Sequence, residues 1–259
     1  EVGMDLVGSY AERFGVYDNL APVLANALGA QETTLYQMVS AYAMFANGGE
    51  RVQPTLVDRV QDRYGNTVYR HDQRICVDCA DAIIAEGFGP RIESNRDRVM
   101  NEITAYQLTS MMRGVVERGT ARRGINQSVP IAGKTGTTND SKDVWFVGFS
   151  SNIVAGCYIG YDTPRTMAGA SGGGTCAPVF NRFMTQAVRR FGGGEFYTPP
   201  DCQFIKIDRL SGARLPDSAS GDNVIAECFR PGEEPIFGIT FDGGWEIAGD
   251  LPLFLSWNQ

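Results

Sequence analysis

An α+β fold is what this sequence predicts, on two observations. Three stretches, within Thr33–Asn47, Thr104–Arg118 and from Pro178 onward, repeat apolar residues at helical spacing. Three more, Ile131–Thr137, Val144–Phe149 and Ile153–Tyr161, are short apolar runs, and the short loops between them make antiparallel neighbours.

Taken in chain order, the first residues read as a helix already under way. Leu6, Val7, Tyr10 and Phe14 share a face, and Gly15 stops it. A chain that opens inside an element, without a start methionine, is expected to be a piece of something longer. In Thr33–Asn47, Leu35, Met38, Val39, Tyr42, Phe45 and Ala46 form the stripe, and Gly48-Gly49 ends it. Thr55–Val60 and Thr67–Arg70 flank Tyr64-Gly65-Asn66 as a hairpin. Residues 72–100 are charged and irregular and read as loop. In Thr104–Arg118 the stripe is Leu108, Met111, Met112, Val115 and Val116, with both methionines assigned to the core. Val144–Phe149 and Ile153–Tyr161 are nearly continuous in apolar character, as central strands covered on both faces are. Gly172-Gly173-Gly174 leads into a helix begun near Pro178, with Phe180, Phe183, Met184, Ala187 and Val188 inward. Beyond Gly192-Gly193-Gly194 the composition turns to proline, glycine and short alternating segments. That divides the chain into 1–192 and a C-terminal extension, 193–259.

Composition narrows the function. The 259 residues are 43% hydrophobic and 20% charged, an ordinary globular balance. No apolar run reaches the ~18 residues of a membrane span, and no signal peptide is visible at the start. Net charge is -7 with no dense basic run, which argues against a nucleic-acid partner. His71 is the one histidine, so a multi-histidine metal site is impossible and a Ser-His-Asp triad a poor fit. Of 23 basic residues only Lys134, Lys142 and Lys206 carry an amine. Six cysteines, at 76, 79, 157, 176, 202 and 228, leave the redox compartment open.

Chemistry concentrates in Ala132–Asn139. Gly133-Lys134-Thr135 matches the end of a phosphate loop, but that motif needs glycine at 128, where Ser128 stands, and a following helix. Alternatively, Lys134-Thr135-Gly136 lies on a strand walling a cleft. Gly136 would let a ligand backbone lie against the strand. Thr135 and Thr137, two apart, would aim hydroxyls to one side and hold a carboxylate. Lys134 would supply positive potential beside a serine hydroxyl. The bland reading is a surface lysine among ordinary β-forming threonines.

Gly133-Lys134-Thr135-Gly136-Thr137-Thr138-Asn139, followed by Lys142-Asp143-Val144-Trp145-Phe146-Val147-Gly148, resembles the third motif region of penicillin-binding proteins. The extended form is similar to the bifunctional class A members, the 1A type in particular. The helix ending Gly48-Gly49, with Pro54 after it, and Gly119-Thr120-Ala121 resemble the same family, over about residues 1–192. The resemblance implies the penicillin-binding and serine β-lactamase-like transpeptidase fold, an antiparallel sheet flanked by helices, here incomplete at its N-terminus. It implies a serine acyl-transferase that attacks the D-Ala-D-Ala carbonyl of a peptidoglycan stem peptide and passes the acyl group to an amine, and that also reacts with β-lactams. The N–H of Thr137 would be half of the oxyanion hole, Lys134 would contact the serine of a Ser-x-Asn motif, and Thr135 and Thr137 would bind the carboxylate. Gly136 and Thr138 complete the substrate wall. No metal or organic cofactor is implied. The family implies a glycosyltransferase domain and membrane anchor upstream of Glu1, and a place on the periplasmic side of the cytoplasmic membrane.

The nucleophile is missing from this chain. Three positions before the lysines stand Ile131, Asn139 and Gln203, so no Ser-x-x-Lys exists. Ser150-Ser151-Asn152 and Ser256-Trp257-Asn258 match Ser-x-Asn, but both follow Lys134 and are taken as chance. The chain alone is therefore expected to be inactive, and a non-catalytic interaction module is the competing reading. Cys76-Val77-Asp78-Cys79 lacks the context of a redox or zinc site and is assigned a structural role. Outside the membrane, as the family implies, Cys202 and Cys228 could close a loop in the tail.

Overall fold

A computed structural model describes residues 2–77, 79, 92–235, 245–247 and 251–253. The chain forms two compact units, residues 1–100 and 101–259.

In the first unit, α1 (Met4–Arg13) runs into Phe14, and Gly15 leaves it at φ 68°. A single 3-10 turn (Leu24–Leu28) leads to α2 (Leu35–Ala46). Its start is fixed by a capping box: Thr34 Oγ1 accepts from the Gln37 N–H, and the Gln37 side chain accepts from the Thr34 N–H. Ser40, Ala41 and Met44 are its most buried residues, and the predicted stripe is only half-buried. The helix is apolar on almost every side, so periodicity could not choose the face. Phe14, Ala41, Met44 and Val99 form the core, with the Phe14 and Phe45 rings 4.9 Å apart.

The hairpin is β1 (Arg59–Gln61) against β2 (Thr67–Arg70). Residues 55–58 drop out of the predicted strand because Thr55 Oγ1 accepts from the Val57 N–H and turns the chain. Asp62, unremarked in the sequence, closes the hairpin by accepting from the N–H groups of Tyr64 and Asn66. In the predicted loop 72–100, β3 (Ile75–Cys76) pairs with β4 (Ile92–Glu93) and Arg98 forms an isolated bridge with Glu50; residues 78 and 80–91 lie outside the described ones. Cys76 and Cys79 are joined by a disulfide, the structural role predicted for them.

The second unit opens with α3 (Glu102–Glu117), capped by Asn101 Oδ1 accepting from Ile103 and Thr104 N–H. The prediction for its methionines needs correction. Met112 is buried, but Met111 is 64% exposed, because the inward face runs through Ala105, Thr109, Met112 and Val116. Strands β5 (Ala132–Thr137), β6 (Asp143–Phe149) and β7 (Val154–Gly160) form an antiparallel sheet in that order. Among the described residues only β6 has a neighbour on each side; β7, expected as a covered central strand, pairs with β6 alone, and Cys157 is its one buried residue.

α4 (Ala177–Phe191) follows one π-helical turn, Gly172–Cys176, and carries Pro178 in its first turn. Phe180, Met184 and Ala187 pack with Val144, Phe146 and Cys157 on one face of the sheet. Phe183, predicted inward, is 56% exposed, at the margin of that face. The extension contributes β8 (Gln203–Asp208) and β9 (Val224–Phe229), an antiparallel pair tied by the Cys202–Cys228 disulfide. It docks on α3 through Gln107 Nε2, which donates to the Cys228 carbonyl, and the Tyr106–Phe204 ring contact. Last come β10 (Trp245–Ile247) and β11 (Leu251–Leu253), paired with each other.

Candidate active site

Lys134, Thr135, Gly136 and Thr137 lie in succession on β5, with Thr138 just beyond it. This strand pairs only with β6, from Ala132 opposite Phe149 to Thr137 opposite Val144, so its other edge bears no strand among the described residues. The register decides which groups face that edge. Thr138 N–H donates to the Asp143 carbonyl across the pair. Antiparallel ladders alternate bonded and non-bonded pairs, so Thr137 and Thr135 turn their N–H and C=O groups outward. The amide predicted as an oxyanion donor therefore points to the free edge. Lys134 reaches the same edge: it is exposed, and its Nζ donates to the Thr135 carbonyl at 2.7 Å.

Thr135 and Thr137 share a face, as period two requires, and each hydroxyl has one partner. Thr120 Oγ1 lies 2.7 Å from Thr135 Oγ1, and the Gly172 N–H donates to Thr137 Oγ1 at 3.0 Å. The proton count is informative. Thr137 accepts here and keeps its own O–H to give, and the Thr120–Thr135 pair uses one of its two protons internally. Two O–H donors thus remain for an anion.

The glycine turn presses on this face at backbone distance. A Cβ on Gly172 would stand 2.4 Å from the Trp145 carbonyl oxygen and 2.6 Å from that of Gly136; one on Gly173 would stand 2.1 Å from that of Thr120. Backbone cannot step aside as a side chain can. Gly172→Ala is expected to cost about 1–3 kcal/mol by overpacking, read as a lower Tm; an unchanged Tm would mean that the turn is not held where the structure has it.

A Cβ on Gly136 would meet the Trp145 Cβ at 3.1 Å, so the missing side chain accommodates Trp145 on that face. Trp145 in turn packs against Tyr158, its partner on β7, with ring centroids 4.7 Å apart and the planes tilted. Neither Thr120 nor Gly172 was given a role from sequence. Thr120 stood in a family-like segment, but nothing in the string of residues links 120 to 135.

Other readings are settled by geometry. After Lys134-Thr135 the chain stays in a strand and turns through Asn139–Ser141 into β6, so the helix of a phosphate loop is absent. Ser150 is fully buried, its Oγ accepting from Asn152 and Ile153 N–H, which makes Ser150-Ser151-Asn152 a turn cap. Ser256-Trp257-Asn258 lies outside the described residues. A cavity of about 330 Å³ in the first unit, lined by Arg51, Tyr69, His71, Arg96 and Asp97 among others, contains none of the predicted site residues.

The chain is similar to known proteins in sequence and in fold. The family described as the penicillin binding protein transpeptidase domain matches residues 3–185. Penicillin-binding protein 1A of Rickettsia prowazekii is 38% identical over 219 residues, 83% of this chain and 28% of that protein. That of Pseudomonas aeruginosa is 32% identical over 244 residues, 82% of this chain and 30% of the relative. The chain thus spans under a third of these curated relatives. The crystal structure of penicillin-binding protein 1A from Haemophilus influenzae superposes with a TM-score of 0.72 at 30% identity, covering 90% of this chain and 37% of that one. Sequence and fold converge on one answer: the chain belongs to the penicillin-binding protein transpeptidase domain family, and within it to the class A, 1A type.

Proposed function

We propose that this chain is the distal part of a peptidoglycan D,D-transpeptidase, residues 1–192 being the C-terminal portion of that domain and 193–259 an extension. The observation that carries the reading is the free edge of β5. There an outward Thr137 N–H, two spare threonine O–H donors and the Lys134 ammonium converge within four residues.

Each group has a task in acyl transfer. A serine on a segment upstream of Glu1 attacks the D-Ala-D-Ala carbonyl, and the Thr137 N–H stabilises the oxyanion together with the serine's own N–H. Thr135 and Thr137 donate to the terminal carboxylate of the stem peptide, or to that of a β-lactam, while Gly136 and Thr138 extend the wall. Lys134 raises the local potential and polarises the serine of the middle motif. D-Ala leaves, and the acyl group passes to an amine of a second stem peptide, forming a cross-link; water in place of the amine gives carboxypeptidase activity. The complete protein carries a glycosyltransferase domain and a membrane anchor upstream, and it works on the periplasmic side of the cytoplasmic membrane.

The test is labelling of the complete gene product with a fluorescent penicillin. One serine should be modified, upstream of Glu1 and three residues before a lysine, and an acyl-D-Ala-D-Ala peptide should compete. A complete protein that takes no label, or that has no Ser-x-x-Lys, would instead be a non-catalytic interaction module.

A further inference from the structure

Four of the six cysteines are spoken for, in Cys76–Cys79 and Cys202–Cys228. The other two, Cys157 and Cys176, meet in the core of the second unit. Cys157 is at the middle of β7, and Cys176 ends the π-helical turn that begins α4. Cys176 is completely buried and Cys157 is 9% exposed. Their sulfurs are 2.7 Å apart, against ~2.05 Å for a covalent bond. Two unbonded thiols do not approach so closely without cost. We infer that Cys157 and Cys176 form a third disulfide, which fastens the strand edge of the sheet to the glycine turn.

One further observation supports this, and another places the bond in time. The existing bridges require a compartment in which thiols are oxidised, so the same oxidant meets Cys157 and Cys176 while the chain folds. Burial pushes the Cys176 thiol well above its ordinary value, which makes it a poor nucleophile in the folded protein and unsuited to catalysis. Bond formation therefore belongs to folding, before the core closes.

The step balances with a disulfide as oxidant. One cysteine thiolate attacks a sulfur of that disulfide and expels one thiolate, giving a mixed disulfide. The second cysteine attacks the protein sulfur of the mixed disulfide and expels the other. Two protein thiols become one disulfide, two electrons reduce the oxidant to two thiols, and the two cysteine protons end there.

The bond would act on the cleft wall through short paths. Cys157 pairs in register with Phe146, which pairs with Thr135, and the turn that ends in Cys176 starts at Gly172, the donor to Thr137 Oγ1. Tying β7 to this turn thus holds the turn, and with it the Thr137 hydroxyl, against the sheet. The inference does not depend on the catalytic reading, since it concerns the bond alone.

The test is thiol mapping of the complete gene product exported to an oxidising compartment. The protein is denatured in iodoacetamide without reductant and digested, and molecules in which Cys202–Cys228 is bridged are read by mass spectrometry. The peptides carrying Cys157 and Cys176 should be found joined, two hydrogens lighter than their sum. Alkylation of both, or a bond from either to another cysteine, would overturn the inference. In Cys157→Ala, Cys176 should become alkylatable where in the parent it is not. Equal labelling of Cys176 in the two proteins would overturn it as well.

Discussion

Incubated with a fluorescent penicillin, this 259-residue chain on its own is expected to give no covalent adduct. Acylation needs a hydroxyl whose proton is taken by a neighbouring base as the bond forms. Neither Lys134, Lys142 nor Lys206 is preceded at three residues by a serine, so no such pair exists in the sequence. Lys134 Nζ donates to the Thr135 carbonyl, and Ser150 Oγ is buried and engaged with backbone N–H groups. The oxyanion hole would be half-built as well, because its second donor is the nucleophile's own N–H. Mass spectrometry of the intact chain is the measurement. Stoichiometric adduct at any serine within 1–259 would overturn the division of labour proposed for the site.

The second large effect belongs to Lys134. In the complete protein, Lys134→Ala should slow acylation by a β-lactam about 10²–10³-fold, the range found when one preorganised electrostatic stabiliser is removed. The fold should be nearly unaffected, since the side chain is exposed on an edge strand and its one described bond is to a neighbouring carbonyl. Acylation rates and Tm, measured together, separate the two effects. A parental acylation rate would reject the role; a slow rate with a large loss of Tm would assign Lys134 to structure instead.

Legibility followed the physics of each element. The strand carrying Lys134 and its antiparallel partner were readable because two apolar runs flank a polar loop of a few residues, and sequence distance there is spatial distance. Helices α2 and α3 were found by period, but the inward face of α2 and the outward place of Met111 on α3 were not. α2 is apolar on nearly every side, and Met111 and Met112 are adjacent, so only packing decides which of them turns inward. The brace on the site was invisible for a different reason. Thr120, Thr135, Thr137 and Gly172 are joined by hydroxyl and amide contacts across 15 and 35 positions, and small residues leave no periodic trace. What Gly136 faces was also beyond reach, because it depends on the register that sets Trp145 opposite.

The disulfide at the foot of β8 and β9 has a consequence for cutting. Between those strands lies the stretch 209–223, with Leu210 75% exposed, an open target for a protease. Cys202 and Cys228 stand on either side of it. A single cut there opens the backbone without parting the protein: the C-terminal piece stays attached through sulfur, and through β9 to β8. Nicked and intact molecules would then run together on a gel without reductant and separate into two fragments once it is added. Digestion followed only under non-reducing conditions would report a resistant protein where the peptide chain had already been broken.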